Sequence, residues 1–98
     1  MATVRLTGRA FAHLEQIVEF LAATDPKRAL TVTQYIREAV MILERHPLIG
    51  RTVEDGRQEL IVSRGRTAHL ALYRWLPADD TVLILAVRDA RQAGYPLD

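Results

Sequence analysis

The 98-residue sequence predicts an α+β domain in two layers, with elements in the order β-α-α-β-β-β and an antiparallel helical hairpin packed on a mainly antiparallel four-stranded sheet. Three observations carry this prediction. Apolar residues recur at helical spacing through two adjoining segments of the first half. Three strand-like runs, each edged by arginine, crowd the last forty residues. One short extended stretch precedes the first helix. A chain of this length forms a single domain over residues 1–98, because it cannot bury a second core.

Val4-Arg5-Leu6 reads as the first strand. Thr7 then caps a helix over about residues 8–23, whose apolar face is Ala10, Phe11, Leu14, Ile17, Val18 and Leu21. Thr24-Asp25-Pro26 ends this helix and starts the next, with Asp25 as N-cap and Pro26 in the first helical position. The second helix runs over about residues 26–46 on Ala29, Val32, Ile36, Ala39, Val40 and Leu43, and Pro47 stops it. So short a connection forces the two helices into an antiparallel hairpin.

Residues 47–57 read as a loop, with Gly50 and Gly56 supplying turns. Leu60-Ile61-Val62 forms a strand, and Arg64-Gly65 signals a tight hairpin. The next strand alternates His69, Ala71, Tyr73 and Trp75 on one face with Ala68, Leu70, Leu72 and Arg74 on the other. Pro77 to Asp80 turns the chain again. Residues 81–87 are apolar on both faces, so they form the most buried strand, between the hairpin and the first strand. The expected core is Phe11, Leu14, Ile17, Ile36, Val40, Leu43, Leu83 and Leu85. The helices should cover one face of the sheet. The other should carry some of His69, Tyr73 and Trp75 together with arginines.

Composition narrows the function. The formal net charge is +1, so the chain as a whole is not built as a polyanion binder. Of its 13 basic residues 12 are arginine, with Lys27 the one lysine, and arginine suits bidentate contacts to carboxylate and phosphate. The absence of cysteine excludes a disulfide framework, a thiol nucleophile and a zinc-thiolate site. No run reaches the roughly 18 apolar residues of a membrane span. The N-terminus lacks the features of a signal peptide, so a cytoplasmic location is expected. His13, His46 and His69 lie on three different elements without metal-ligand spacing, and no cofactor or metal is expected. On packing grounds His13 is expected at the surface of the first helix. His46 should cap the end of the second, and His69, Tyr73 and Trp75 should pack on the sheet. Arg57 and Glu59 would form a same-face pair.

Several local patterns fall in a telling order: His46-Pro47-Leu48-Ile49-Gly50-Arg51 after the second helix, Arg57-Gln58-Glu59-Leu60 opening a strand, Ala71-Leu72-Tyr73-Arg74 within one, and Val87-Arg88-Asp89-Ala90-Arg91-Gln92-Ala93-Gly94-Tyr95 at the close. Together with the order of elements, they resemble the RelE/ParE superfamily of toxins from bacterial toxin–antitoxin operons, with the close resembling the ParE-like branch. Asp89 departs from the pattern, standing where many relatives have histidine.

The resemblance implies the toxin of a type II toxin–antitoxin (plasmid stabilisation) module, neutralised by a cognate antitoxin protein. It leaves two targets open: DNA gyrase, as for ParE-like members, or mRNA cut in the ribosomal A site, as for RelE-like ribonucleases. Metal-free RNA cleavage needs a base, an acid and a stabiliser of phosphate charge. The candidates are Arg64, Arg66, His69, Arg88, Arg91 and Tyr95, with Arg91 and Tyr95 at the positions the resemblance singles out. The RNA-cutting branch is usually strongly basic, because it docks on ribosomal RNA. The near-neutral charge here therefore favours gyrase, with Arg88, Arg91 and Tyr95 as target-binding residues. A non-toxic protein-binding module of the same fold is the reading from another functional class.

Overall fold

The computed structural model describes residues 1–63, 68–92, 94 and 95. The elements are β1 (Thr3–Leu6), α1 (Gly8–Thr24), α2 (Pro26–Arg45), β2 (Arg51–Thr52), β3 (Gln58–Ser63), β4 (His69–Leu76) and β5 (Thr81–Asp89). The sheet order is β1-β5-β4-β3-β2. β1 runs parallel to β5, and the other pairings are antiparallel. The last strand therefore lies inside the sheet, between the first strand and the hairpin, as its apolar composition predicts. The sheet has five strands rather than four, because Arg51 and Thr52, expected in a loop, pair with Glu59 and Gln58. Two residues are too few to show a period of two.

Local chemistry sets both helix starts. The Thr7 side chain accepts from the Ala10 N–H at 3.1 Å, and its hydroxyl donates to the Leu85 carbonyl at 3.1 Å. The Asp25 side chain accepts from the Arg28 N–H at 3.2 Å, while the Asp25 N–H closes α1 on the Leu21 carbonyl at 2.6 Å. One residue thus ends one helix and opens the next, which is why the helical hairpin needs no separate loop.

The helices pack on one face of the sheet. Ala10, Ala39 and Leu43 meet Val62, Ala71, Tyr73, Val82, Ile84 and Val87, with Leu14, Ile17, Ile36 and Trp75 partly buried against them. His69, Tyr73 and Trp75 therefore stand on the helix-covered face, not on the open one as expected. The alternation along the strand was legible, but not which set faced inward.

Three members of the expected core need correcting. Phe11 is 58% exposed, because α1 turns the small Ala10 and His13 towards the sheet and leaves Phe11 beside that line. In β5 the buried positions are Val82, Ile84, Ala86 and Val87, while Leu83 and Leu85 are half-buried. A strand apolar on both faces carries no parity signal. Its facing is fixed by pairing with β4, where Tyr73 lies opposite Ile84, and Leu72 opposite Ala86. Leu85 is the extra residue of a β-bulge, so the inward set shifts from even to odd numbers beyond it.

His13 is buried, contrary to its expected place at the surface. Its Nδ1 accepts from the Val87 N–H at 3.1 Å. β1 pairs with β5 no further than Ile84, so beyond that point Thr7 and His13 replace it as partners of the β5 edge.

Gly50 is required by close approach rather than by a turn. A Cβ there would lie 2.8 Å from the Glu59 carbonyl oxygen and 2.8 Å from both Cε1 and the hydroxyl of Tyr73. The Gly50 N–H donates to the Tyr73 hydroxyl at 2.9 Å, and Gln58 Nε2 donates to the Gly50 carbonyl at 3.1 Å. This clamp fixes the chain between α2 and β2. The turn in this segment comes instead at Asp55 and Gly56, both with positive φ.

Candidate functional site

The β5 bulge decides where each tail residue emerges. Arg88 pairs opposite Leu70 and lies on the open face, whereas Asp89 pairs opposite His69 and lies on the helix-covered face. The tail residues named from the sequence are therefore divided between two faces.

The open face is organised around Glu59 of β3, opposite Leu72 and with a side chain 5% exposed. Its Oε1 accepts from Arg51 at 3.1 Å (Nε) and 2.7 Å (Nη2). The Tyr95 hydroxyl donates to Oε2 at 2.6 Å, and Arg88 Nη2 lies 3.7 Å from the same oxygen. The Arg88 guanidinium carbon sits 5.1 Å from the centroid of the Tyr95 ring, within cation–π range. Arg88 Nη1 also donates to the carbonyls of Gln92 at 2.8 Å and Ala90 at 3.4 Å, folding the turn that leads to Tyr95. Arg57, expected to pair with Glu59, instead donates to the Glu54 carbonyl and lies 3.6 Å from Asp55.

The electrostatics follow from this packing. Burial alone would raise the Glu59 pKa, but the Tyr95 hydrogen bond, Arg51 and Arg88 together outweigh it and hold the carboxyl below its ordinary 4.5. Burial, then the hydrogen bond to Glu59, push the Tyr95 phenol well above its ordinary 10.0, so its hydroxyl stays a donor. Arg88 is committed to this cluster, with a side chain 16% exposed.

Arg91 behaves differently. Its side chain is 80% exposed and paired with Asp89 at 3.2 Å, and its N–H donates to Asp89 Oδ1 at 2.8 Å. It rims a cavity of about 600 Å³ between α1 and the end of β5, where Phe20 and Ile17 form an apolar wall and His13 and His69 line the interior. His69 is 4% exposed. Burial holds its imidazole below the ordinary 6.5; Asp89 opposes this, and Arg28 and Arg91 add to it. His69 and Tyr95 thus belong to opposite faces of the sheet. Arg64 and Arg66 lie outside the described residues.

Sequence reasoning missed Glu59, Arg51 and His13 as organising residues. The signal for Glu59 was a carboxylate directly preceding the apolar run Leu60-Ile61-Val62 in one strand, which needs partners when buried. Among the described residues no group of three His, Asp or Glu side chains is placed to hold a metal ion. Among them, too, no helix is long and apolar enough to cross a membrane.

Comparison with known proteins bears directly on this arrangement. Residues 4–94 match the family model described as the ParE toxin of the type II toxin–antitoxin system parDE. A solved structure of the chromosomal ParDE TA system from P. aeruginosa superposes with a TM-score of 0.72 at 26% identity, covering 89% of this chain and 94% of that one. A search of curated proteins returns no significant match. With a family match over nearly its whole length and the two-layer fold to go with it, the chain belongs to the ParE toxin family of type II toxin–antitoxin systems.

Proposed function

We propose that this ParE-family chain arrests bacterial growth by poisoning DNA gyrase in the cytoplasm and is neutralised by a cognate antitoxin as part of a plasmid-stabilisation module. One observation carries the choice of target. The described groups that RNA cleavage would recruit do not converge on one phosphate: His69 is buried on the helix-covered face, while the Tyr95 hydroxyl is bound to Glu59 on the open face. General acid–base catalysis needs both groups within hydrogen-bond reach of the same reacting centre. The near-neutral charge supports the same reading.

Of the three tail residues assigned to target binding, Arg91 is presented to solvent, and Arg88 with Tyr95 shapes the surface beneath the tail. Phe11, Phe20, Leu30, Met41 and Ile42 are exposed apolar residues on the helices, which suits an antitoxin peptide laid along the hairpin.

The test is a parallel assay of gyrase supercoiling and DNA cleavage beside ribosome-dependent mRNA cleavage. Gyrase-dependent DNA breaks with intact mRNA are expected. Codon-periodic mRNA cuts with unimpaired supercoiling would replace this reading with the ribonuclease one. Co-elution with the product of the adjacent gene in size-exclusion chromatography tests the antitoxin partner.

A further inference from the structure

We infer that Glu59 is the positioning residue of the growth-arresting tail, a buried carboxylate clasp that holds Arg88 and Tyr95 on the open face and so sets where Arg91, between them in sequence, is presented at the cavity rim. The inference rests on the reading that the tail carries the toxic surface, but not on which target that surface meets.

The geometry carries it. β5 ends at Asp89, and the described residues beyond it belong to no further helix or strand. What orders them is a closed set of contacts. Glu59 takes Tyr95 by its hydroxyl and Arg88 by its guanidinium, Arg88 stacks on the Tyr95 ring, and the same Arg88 grips the carbonyls of Ala90 and Gln92. Arg88 and Tyr95, on either side of Arg91 in sequence, are thereby both held by one carboxylate. Arg91 has its backbone N–H tied to Asp89 and its guanidinium in solvent. Arg51 completes the set from β2 with two bonds to the other carboxylate oxygen, leaving Oε2 for the tail. Because the carboxylate is buried, it has few alternative partners, and losing its charge leaves Arg88 without its counter-ion.

Three purified variants test the clasp: Glu59→Gln, which keeps the shape and an acceptor but removes the charge; Tyr95→Phe, which keeps the ring over Arg88 and removes the hydroxyl; and Arg91→Ala. Each is measured for thermal unfolding, for trypsin cleavage in the folded protein after Arg88 and, in the variants that keep it, Arg91, and for growth arrest on induction. In Glu59→Gln, tail cleavage is expected to rise about tenfold while the rest of the folded chain stays resistant, and growth arrest to weaken to the level of Arg91→Ala. The double variant should be no weaker than either single one, because both remove the same presented residue, whereas independent sites would add. Tyr95→Phe should fall between wild type and Glu59→Gln.

Unchanged tail cleavage in Glu59→Gln, or Glu59→Gln and Arg91→Ala effects that add, overturns the clasp. If Glu59→Gln does not fold, the Tyr95→Phe and Arg91→Ala pair gives the same cycle, and additivity there overturns it equally. The gyrase assay is read separately: growth arrest that depends on Glu59 without gyrase inhibition removes the target assignment and leaves the clasp standing.

Discussion

On the helix-covered face of the sheet, Tyr73, Val82 and Ile84 are packed under Ala10, Ala39 and Leu43, and polar groups beneath the helices are internally bonded, as at His13 and Gly50. On the opposite face no helix among the described residues lies over the strands, and a carboxylate, two arginines and a tyrosine cluster there instead. The first face is held by area removed from water, which is non-directional. The second is held by directed, charge-assisted bonds between residues far apart in sequence. Removing atoms from the first should loosen the whole domain. Removing a charge from the second should free the tail before it unfolds the fold.

The sharpest way to break this contrast is a truncation under the helices. Leu43 has no exposed surface, so Leu43→Ala should cost about 3 kcal/mol in urea unfolding. A loss below about 1 kcal/mol would mean the helix-covered face is not the main source of stability. Gly50→Ala should cost about 2 kcal/mol, since its Cβ meets backbone and the Tyr73 ring rather than a side chain that can swing away. On the open face Glu59→Ala should also cost about 2 kcal/mol, by leaving Arg88 without its carboxylate.

Acid separates the faces without mutation. The folded pKa of His69 lies below 6.5, so the unfolded chain takes up the proton more readily, and stability should fall as pH drops through 6.5. The folded pKa of Glu59 lies below 4.5, so its contribution is intact above 4.5 and is lost only as pH falls through that lower value. Melting temperature against pH should therefore show a His69 limb, absent in His69→Gln, at higher pH than the Glu59 limb. A Glu59 limb above pH 4.5 would contradict the charge network. The smallest expected effect on stability is that of Arg91→Ala: an exposed pair contributes little, so the melting temperature should hardly move while growth arrest weakens.

What the sequence disclosed followed the range of the interactions. Thr7, Asp25 and Pro26 marked the helix ends because a cap is made with residues three positions away. The interior place of β5 was readable from its apolar run, yet its inward set was not, since Val82 and Leu83 are chemically alike and the bulge at Leu85 depends on β4. His13 looked like a surface residue because its partner, Val87, lies 74 positions away. Tyr95 and Arg88 were named from the sequence as target-binding tail residues, and the structure joins them through Glu59. Their shared partner, 36 positions before Tyr95, had been matched to the neighbouring Arg57. Strand alternation puts Arg57 on the same side, but the side chain turns back to its own 3-10 turn.

The edge of β5 beyond the end of β1 has one more consequence. There Thr7 donates to the Leu85 carbonyl and His13 accepts from the Val87 N–H, so the backbone groups a foreign strand would seek are already taken by side chains. Unpaired strand edges template fibril growth and misassembly between identical chains. The threonine that caps the first helix and a histidine within it thus act as aggregation guards on this side of the sheet, disfavouring self-association by strand addition there without a longer first strand.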